Sequence, residues 1–220
     1  MNKLIPLAAL AGLAHRAPAQ VTATPRASVS YLGLGLARVS GFYSGSSEGE
    51  SGIAFAPAVL GCGAMTPSVA FRWGVAYGRN RVHWDYPSNN NTQRTVRQTT
   101  TGNVVVPVLL QLTLNPAAPR FHTALLGGLT FWYINQRGQQ TDYYYAPSGS
   151  ATAVRRKLDR EHLYTFLTGG VNASYQLTPR WVALADLTLN FRLGEKTQYY
   201  EALPSGGMQL GAGYCWGTVR

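Results

Sequence analysis

Charge is scarce in this 220-residue chain: Asp, Glu, Lys and Arg together make up 13%, about half the ~25% usual in soluble domains. Acids are scarcer than bases, nine against 19. Only two cysteines occur, Cys62 and Cys215. They form neither a disulfide framework nor a CxxC or metal-type spacing, so two small buried thiols are expected, with no cofactor and no metal. No apolar run approaches the ~20 residues that a spanning helix needs, since the longest, Leu4–Ala14 and Val104–Leu110, fall well short. A helical membrane protein, a coiled coil and a collagen are thereby excluded. Apolar residues are not lacking: at 45% they suffice for a sizeable core and exclude global disorder. With 13 Tyr, 5 Trp, 7 Phe and 24 Gly, two classes remain, a secreted all-β domain or a membrane β-barrel.

The N-terminus has the form of a secretory signal. Lys3 supplies a positive start, Leu4–Ala14 an apolar stretch, and Ala17-Pro18-Ala19 a small-x-small cleavage pattern. Residues 1–19 are therefore expected to be removed, leaving a single barrel domain over 20–220. Loss of Lys3 and Arg16 lowers the formal charge from +10 to +8. Apart from one cluster, Arg155-Arg156-Lys157 with Arg160, the remaining basic residues are dispersed rather than arranged in a stripe, which argues against nucleic acid. Behind an export signal an acidic lipid headgroup suits the basic cluster better than DNA, and a solvated loop with no partner accounts for it more simply than either.

From Ala27 onward, apolar-alternating stretches are joined by connections of two kinds. Tight ones carry turn chemistry, with Pro preset for the bend and Asn or Ser bonding back to the backbone: Met65–Ser68, Asn115–Pro119 and Leu177–Arg180. Long polar ones are Ser40–Ser51, Pro87–Gln98, Arg137–Arg160 and Gly194–Pro204. The two kinds alternate along the chain, as in an antiparallel up-and-down transmembrane barrel with turns at one rim and loops at the other. Eight strands are expected: Ser28–Val39, Gly52–Ala64, Val69–Tyr86, Thr99–Leu114, Arg120–Gln136, Leu163–Gln176, Trp181–Leu193 and Gly206–Val219.

Successive side chains of a strand point to opposite faces. In Trp181–Leu193 one face reads Trp181, Ala183, Ala185, Leu187, Leu189, Phe191, Leu193, and the other holds Asp186, Thr188, Asn190 and Arg192. The apolar parity also carries the aromatics. Phe71, Phe121, Tyr175, Trp181, Tyr214 and Trp216 stand toward the tight turns, and Tyr77, Tyr133 and Phe191 toward the loops. Ten residues at ~3.3 Å with a ~40° tilt rise about 25 Å, the height of an apolar band between two aromatic girdles. A sandwich has no reason to repeat that pattern, so the apolar face is assigned to lipid and the polar face to the lumen.

Three segments, Asn103–Leu112 (NVVVPVLLQL), Thr123–Tyr133 (TALLGGLTFWY) and Thr168–Val182 (TGGVNASYQLTPRWV), resemble strand motifs of the outer-membrane β-barrel (porin-like) family common among Bacteroidetes-type bacteria. With the signal and the terminal strand, the resemblance covers nearly the whole mature chain. It implies an outer-membrane location, contact with outer-membrane lipid and lipopolysaccharide, and delivery by barrel-insertion machinery, but no single activity. The family usually ends in an aromatic residue, whereas this chain ends Trp216-Gly-Thr-Val-Arg220.

The polar parity brings Arg72, Gln111, Asn172, Asp186, Asn190, Arg192 and Gln209 toward the lumen. Charges enclosed there must pair, because an isolated one costs several kcal/mol. Asp186, taken as the one strong inward acid, is expected to pair with Arg72 or Arg192, giving a self-satisfied polar plug. A narrow pore is the alternative. Glycines such as Gly127, Gly128, Gly169 and Gly170 are expected to allow curvature. His83 and Asp85 share one strand face with Ser88 in the adjoining loop, a weak echo of a hydrolase, and no enzyme activity is expected. The basic cluster Arg155, Arg156, Lys157 and Arg160 is expected in a long exterior loop beside Tyr143–Tyr145, a composition suited to surface recognition. The expected role is structural or in surface interaction.

Overall fold

A computed structural model describes residues 30–40, 52–87, 93–145, 150–194 and 205–216. The proposed signal segment, Ser88 and the last four residues lie outside these. Eight strands follow in order: β1 Ser30–Ser40, β2 Gly52–Ala64, β3 Val69–Pro87, β4 Gln93–Thr113, β5 Phe121–Tyr145, β6 Ala151–Thr178, β7 Trp181–Leu193 and β8 Ser205–Trp216. Each pairs antiparallel with the next, and β8 returns to β1 from Ser30↔Trp216 to Ser40↔Gly206. The eight strands thus form a ring, above which β3 beyond Ala76 makes no ladder pair with β2, and β6 before Thr165 none with β7, among the described residues.

The tight connections fold as their composition dictates. Thr66 Oγ1 accepts the Val69 amide at 3.0 Å, and Thr178 Oγ1 accepts the Trp181 amide at 3.1 Å. Asn115 clamps the β4–β5 turn, accepting the Thr123 amide at 2.8 Å and donating to the Phe121 carbonyl at 3.0 Å. Side-chain bonds of this kind replace the ladder where the chain reverses. These turns share one rim with the start of β1 and the end of β8.

Two of the expected long loops are largely strand. β4 starts at Gln93, inside the expected loop Pro87–Gln98, and pairs with β3 up to Pro87↔Arg94. The stretch Arg137–Arg160 is a hairpin, with β5 and β6 in unbroken register to Tyr145↔Ala151. Its Tyr, Thr and Val content suits strands, yet both faces are polar. Without an apolar face the alternation that marks a strand is lost. The basic cluster is corrected accordingly: Arg155, Arg156, Lys157 and Arg160 lie within β6, opposite Thr141, Gln140, Gln139 and Gln136. A strand sends neighbours to opposite sides, so the cluster is divided, with Arg155 and Lys157 on the outer face and Arg156 and Arg160 on the other.

The core lies inside the ring. Tyr31, Leu60, Val105, Trp132, Ile134, Phe166 and Leu184 are buried there among alanines and both cysteines. The interior is thus a mixed filling, more apolar than its sequence parity suggested, because eight strands enclose only enough space for side chains. Glycines on β8 make that filling fit. A Cβ on Gly213 would stand 2.8 Å from the Tyr31 ring, and one on Gly211 2.7 Å from Leu60 Cδ1. Outside, the surface is apolar, with Leu34 71% and Leu187 58% exposed.

Candidate functional site: the lumen cross-brace

Arg72 on β3 and Asp186 on β7 start from opposite walls, four strands apart in the ring of eight. Their side chains meet across the interior. Arg72 Nη1 donates to Asp186 Oδ1 at 2.9 Å and Nη2 to Oδ2 at 2.7 Å, with both side chains almost fully buried. This bidentate fork is the strong form of a charged hydrogen bond. Asn172 on β6, the cross-strand neighbour of Asp186, adds a third donor to Oδ1 at 2.6 Å. Burying the two charges is tolerable because each is paired and hydrogen-bonded.

The other lumen candidates are placed separately. Asn190 Oδ1 accepts the Thr168 hydroxyl at 2.8 Å, which also lies 2.7 Å from the Thr130 hydroxyl. Arg192 does not reach Asp186; its guanidinium rests on the Tyr164 ring, 4.4 Å from the centroid. Gln111 lines a cavity of about 60 Å³ on the turn side of the brace, with Tyr31, His122 and Ser174. Gln209 lines one of about 50 Å³ on the loop side, which Asp186 also touches. Cys62 and Cys215 are buried and free, placed on either side of Tyr31 as its two cross-strand partners.

Interior residues outside the predicted set complete the filling. Trp132 Nε1 donates to Asn103 Oδ1 at 3.0 Å, and the Trp132 and Phe166 rings lie 6.1 Å apart. Thr168 was findable, being in phase with Asn172 on its own strand. Asp142 was not, because its segment has loop composition. It is a second buried acid on the inward parity, accepting Thr95 Oγ1 at 2.9 Å and Gln140 Nε2 at 3.0 Å. The Gln140 bond, and then the Thr95 bond, hold its carboxyl below the usual range.

Phe71, Tyr77, Phe121, Tyr133, Tyr175, Trp181, Phe191, Tyr214 and Trp216 all project from the outer face and are exposed. Near the turn rim Phe121 stands opposite Tyr175, and Trp181 packs edge-on against Tyr214 with centroids 5.6 Å apart. His83 and Asp85 share the outer face of β3. Asp85, however, is bound by Arg94, whose Nε donates to Oδ1 at 2.8 Å and whose hydrogen bond keeps the carboxyl below its usual range. Its strongest partner is thus Arg94, with His83 adding a smaller electrostatic contribution. Among the described residues no group of three or more His, Cys, Asp or Glu could hold a metal ion.

No family model matches the chain, and no curated protein matches it. Similar solved structures include Ail, the attachment invasion locus protein of Yersinia pestis, at 13% identity and TM-score 0.48, covering 86% of this chain and 99% of that one. The outer membrane protein OprG from Pseudomonas aeruginosa is 10% identical with TM-score 0.48, covering 87% and 97% respectively. A major outer membrane protein from Thermus thermophilus is 14% identical with TM-score 0.44, covering 84% and 99%.

Proposed function

We propose that this chain is a small transmembrane barrel of a bacterial outer membrane, sealed through its middle, whose work is structural or done by its exterior surface. The observation that carries the reading is its sidedness. A hydrogen-bonded ion pair is enclosed within the ring, while leucines and two tiers of aromatics cover the outside. In water that surface would be a very large exposed apolar patch; against hydrocarbon it is the stable arrangement. Export by a signal cleaved after Ala19, delivery by barrel-insertion machinery and affinity with the Bacteroidetes-type family belong to the same reading. So does a role without catalysis.

Sealing follows from the brace. Arg72, Asp186 and Asn172 span the interior, and the cavities beside them, about 60 and 50 Å³, have room for only a few waters at about 30 Å³ each. The surface left for interaction is the β5–β6 hairpin. From Tyr133 to Tyr145 it rises about 30 Å beyond the loop-side girdle at ~3.3 Å per residue and ~40° tilt.

Planar-bilayer recording of the purified chain tests the seal. Insertion without discrete conductance steps is expected. Reproducible unitary channels would overturn the seal and establish the narrow pore instead.

A further inference from the structure

The outer wall carries a recess lined by four cations, and its height on the barrel identifies its ligand. On the outward face of β3, β4 and β5, the row Tyr77–Val104–Tyr133 belongs to the loop-side aromatic tier. The next outward row is Arg79–Gly102–Asn135, and the one above it Arg81–Thr100–Arg137. Gly102 has no side chain in the middle of this wall, and a Cβ there would meet nothing closer than 3.8 Å. The result is an open groove of about 640 Å³ between the two tyrosines below and Arg79, Arg81, Arg137 and Lys157 around it.

The charge of the groove is unbalanced. Asp159 stands opposite Arg137, with 3.8 Å between the charged groups, and Glu161 accepts a hydrogen bond from Asn135 at 3.0 Å. Four cations against these two carboxylates leave a surplus of two. Arg79 and Arg81 have no carboxylate within 4.0 Å among the described residues. Arginine's planar fork suits phosphate oxygens, and the two lie on one strand face, two residues apart.

Height then selects the source of the phosphate. Each strand residue rises about 2.5 Å along the normal at ~40° tilt, so Arg79 and Arg81 stand roughly 5 and 10 Å above the tyrosine row. A headgroup layer is about 5–8 Å thick beyond the hydrocarbon, so Arg79 stands within it and Arg81 at its outer edge. We propose that this groove binds the phosphorylated headgroup of an outer-leaflet lipid, whose acyl chains run down the apolar wall below Val104. The inference rests on the transmembrane reading, because only insertion brings the groove to headgroup depth.

The test uses the full mature chain in phosphatidylcholine nanodiscs doped with bisphosphorylated lipid A or its dephosphorylated form, with lipid retained on the protein counted by native mass spectrometry. Selective retention of the phosphorylated form is expected. Arg79→Gln/Arg81→Gln should lower it by about thirtyfold, at roughly one power of five per charge. Arg137→Gln/Lys157→Gln should lower it similarly. Arg120→Gln/Arg180→Gln, which removes equal charge at the turn rim, should leave it unchanged. Equal retention of both lipid A forms, or equal losses in all three double variants, overturns the site. Displacement by millimolar inorganic phosphate overturns the lipid as the source. Failure of the chain to enter the nanodisc overturns the transmembrane reading itself, an outcome distinct from insertion without selectivity.

Discussion

Asp186→Ala is expected to destabilise the barrel by about 3–5 kcal/mol, because it strands a charge rather than merely deleting a contact. Arg72 would keep its place inside the ring, where it is 5% exposed, with both hydrogen bonds of its fork lost. The Asn172 amide would lose the same acceptor. None of the four remaining lumen candidates can replace it, since Arg192 is a cation on the same strand and Asn190, Gln209 and Gln111 are uncharged. The double variant Arg72→Met/Asp186→Leu should recover most of the loss, since an apolar pair of similar volume removes the desolvation cost together with the interaction. Urea unfolding from lipid vesicles, followed by the heat-modifiable gel mobility of the folded form, measures both. A single variant as stable as the parent would show that the ion pair does not brace the walls.

Leu187→Arg should be nearly as damaging, for the opposite reason. Leu187 is among the most exposed leucines, flanked on the outer wall by Val171 and Met208. On a water-facing surface such a change stays within about ±0.5 kcal/mol. On the lipid face near the bilayer midplane, a new arginine costs about 2–4 kcal/mol. The same unfolding assay distinguishes the two, and an unaffected variant would place Leu187 in water.

How far the sequence reveals this arrangement depends on burial asymmetry. β2 and β7 have the boundaries read from their alternation, because one side of each is apolar and the other is small or polar. The upper parts of β4, β5 and β6 are polar on both sides, so nothing in their pattern distinguishes ladder from loop. Asp142 disappears into that ambiguity, and the basic cluster is misread as one patch when the pleat divides it. Within the lumen, parity alone leaves Arg72 and Arg192 equal as partners of Asp186. Ring geometry separates them: Arg192 shares β7 with Asp186, whereas β3 stands across the interior. The apolar filling by Trp132, Phe166 and Leu60 was hidden for a different reason, since a face that mixes large apolar and polar residues does not announce how little room it has.

The central claim concerns which side of the wall meets acyl chains, and tryptophan quenching by lipid brominated along its chains reads that contact directly. Trp73, Trp181 and Trp216 project outward, while Trp132 is 3% exposed and turned inward. Bromolipid vesicles should quench the folded protein strongly. Trp73→Phe/Trp181→Phe/Trp216→Phe should remove much of the quenchable intensity, and Trp132→Phe almost none. Quenching that is absent, or that disappears with Trp132 and survives loss of the three outward tryptophans, would contradict the account.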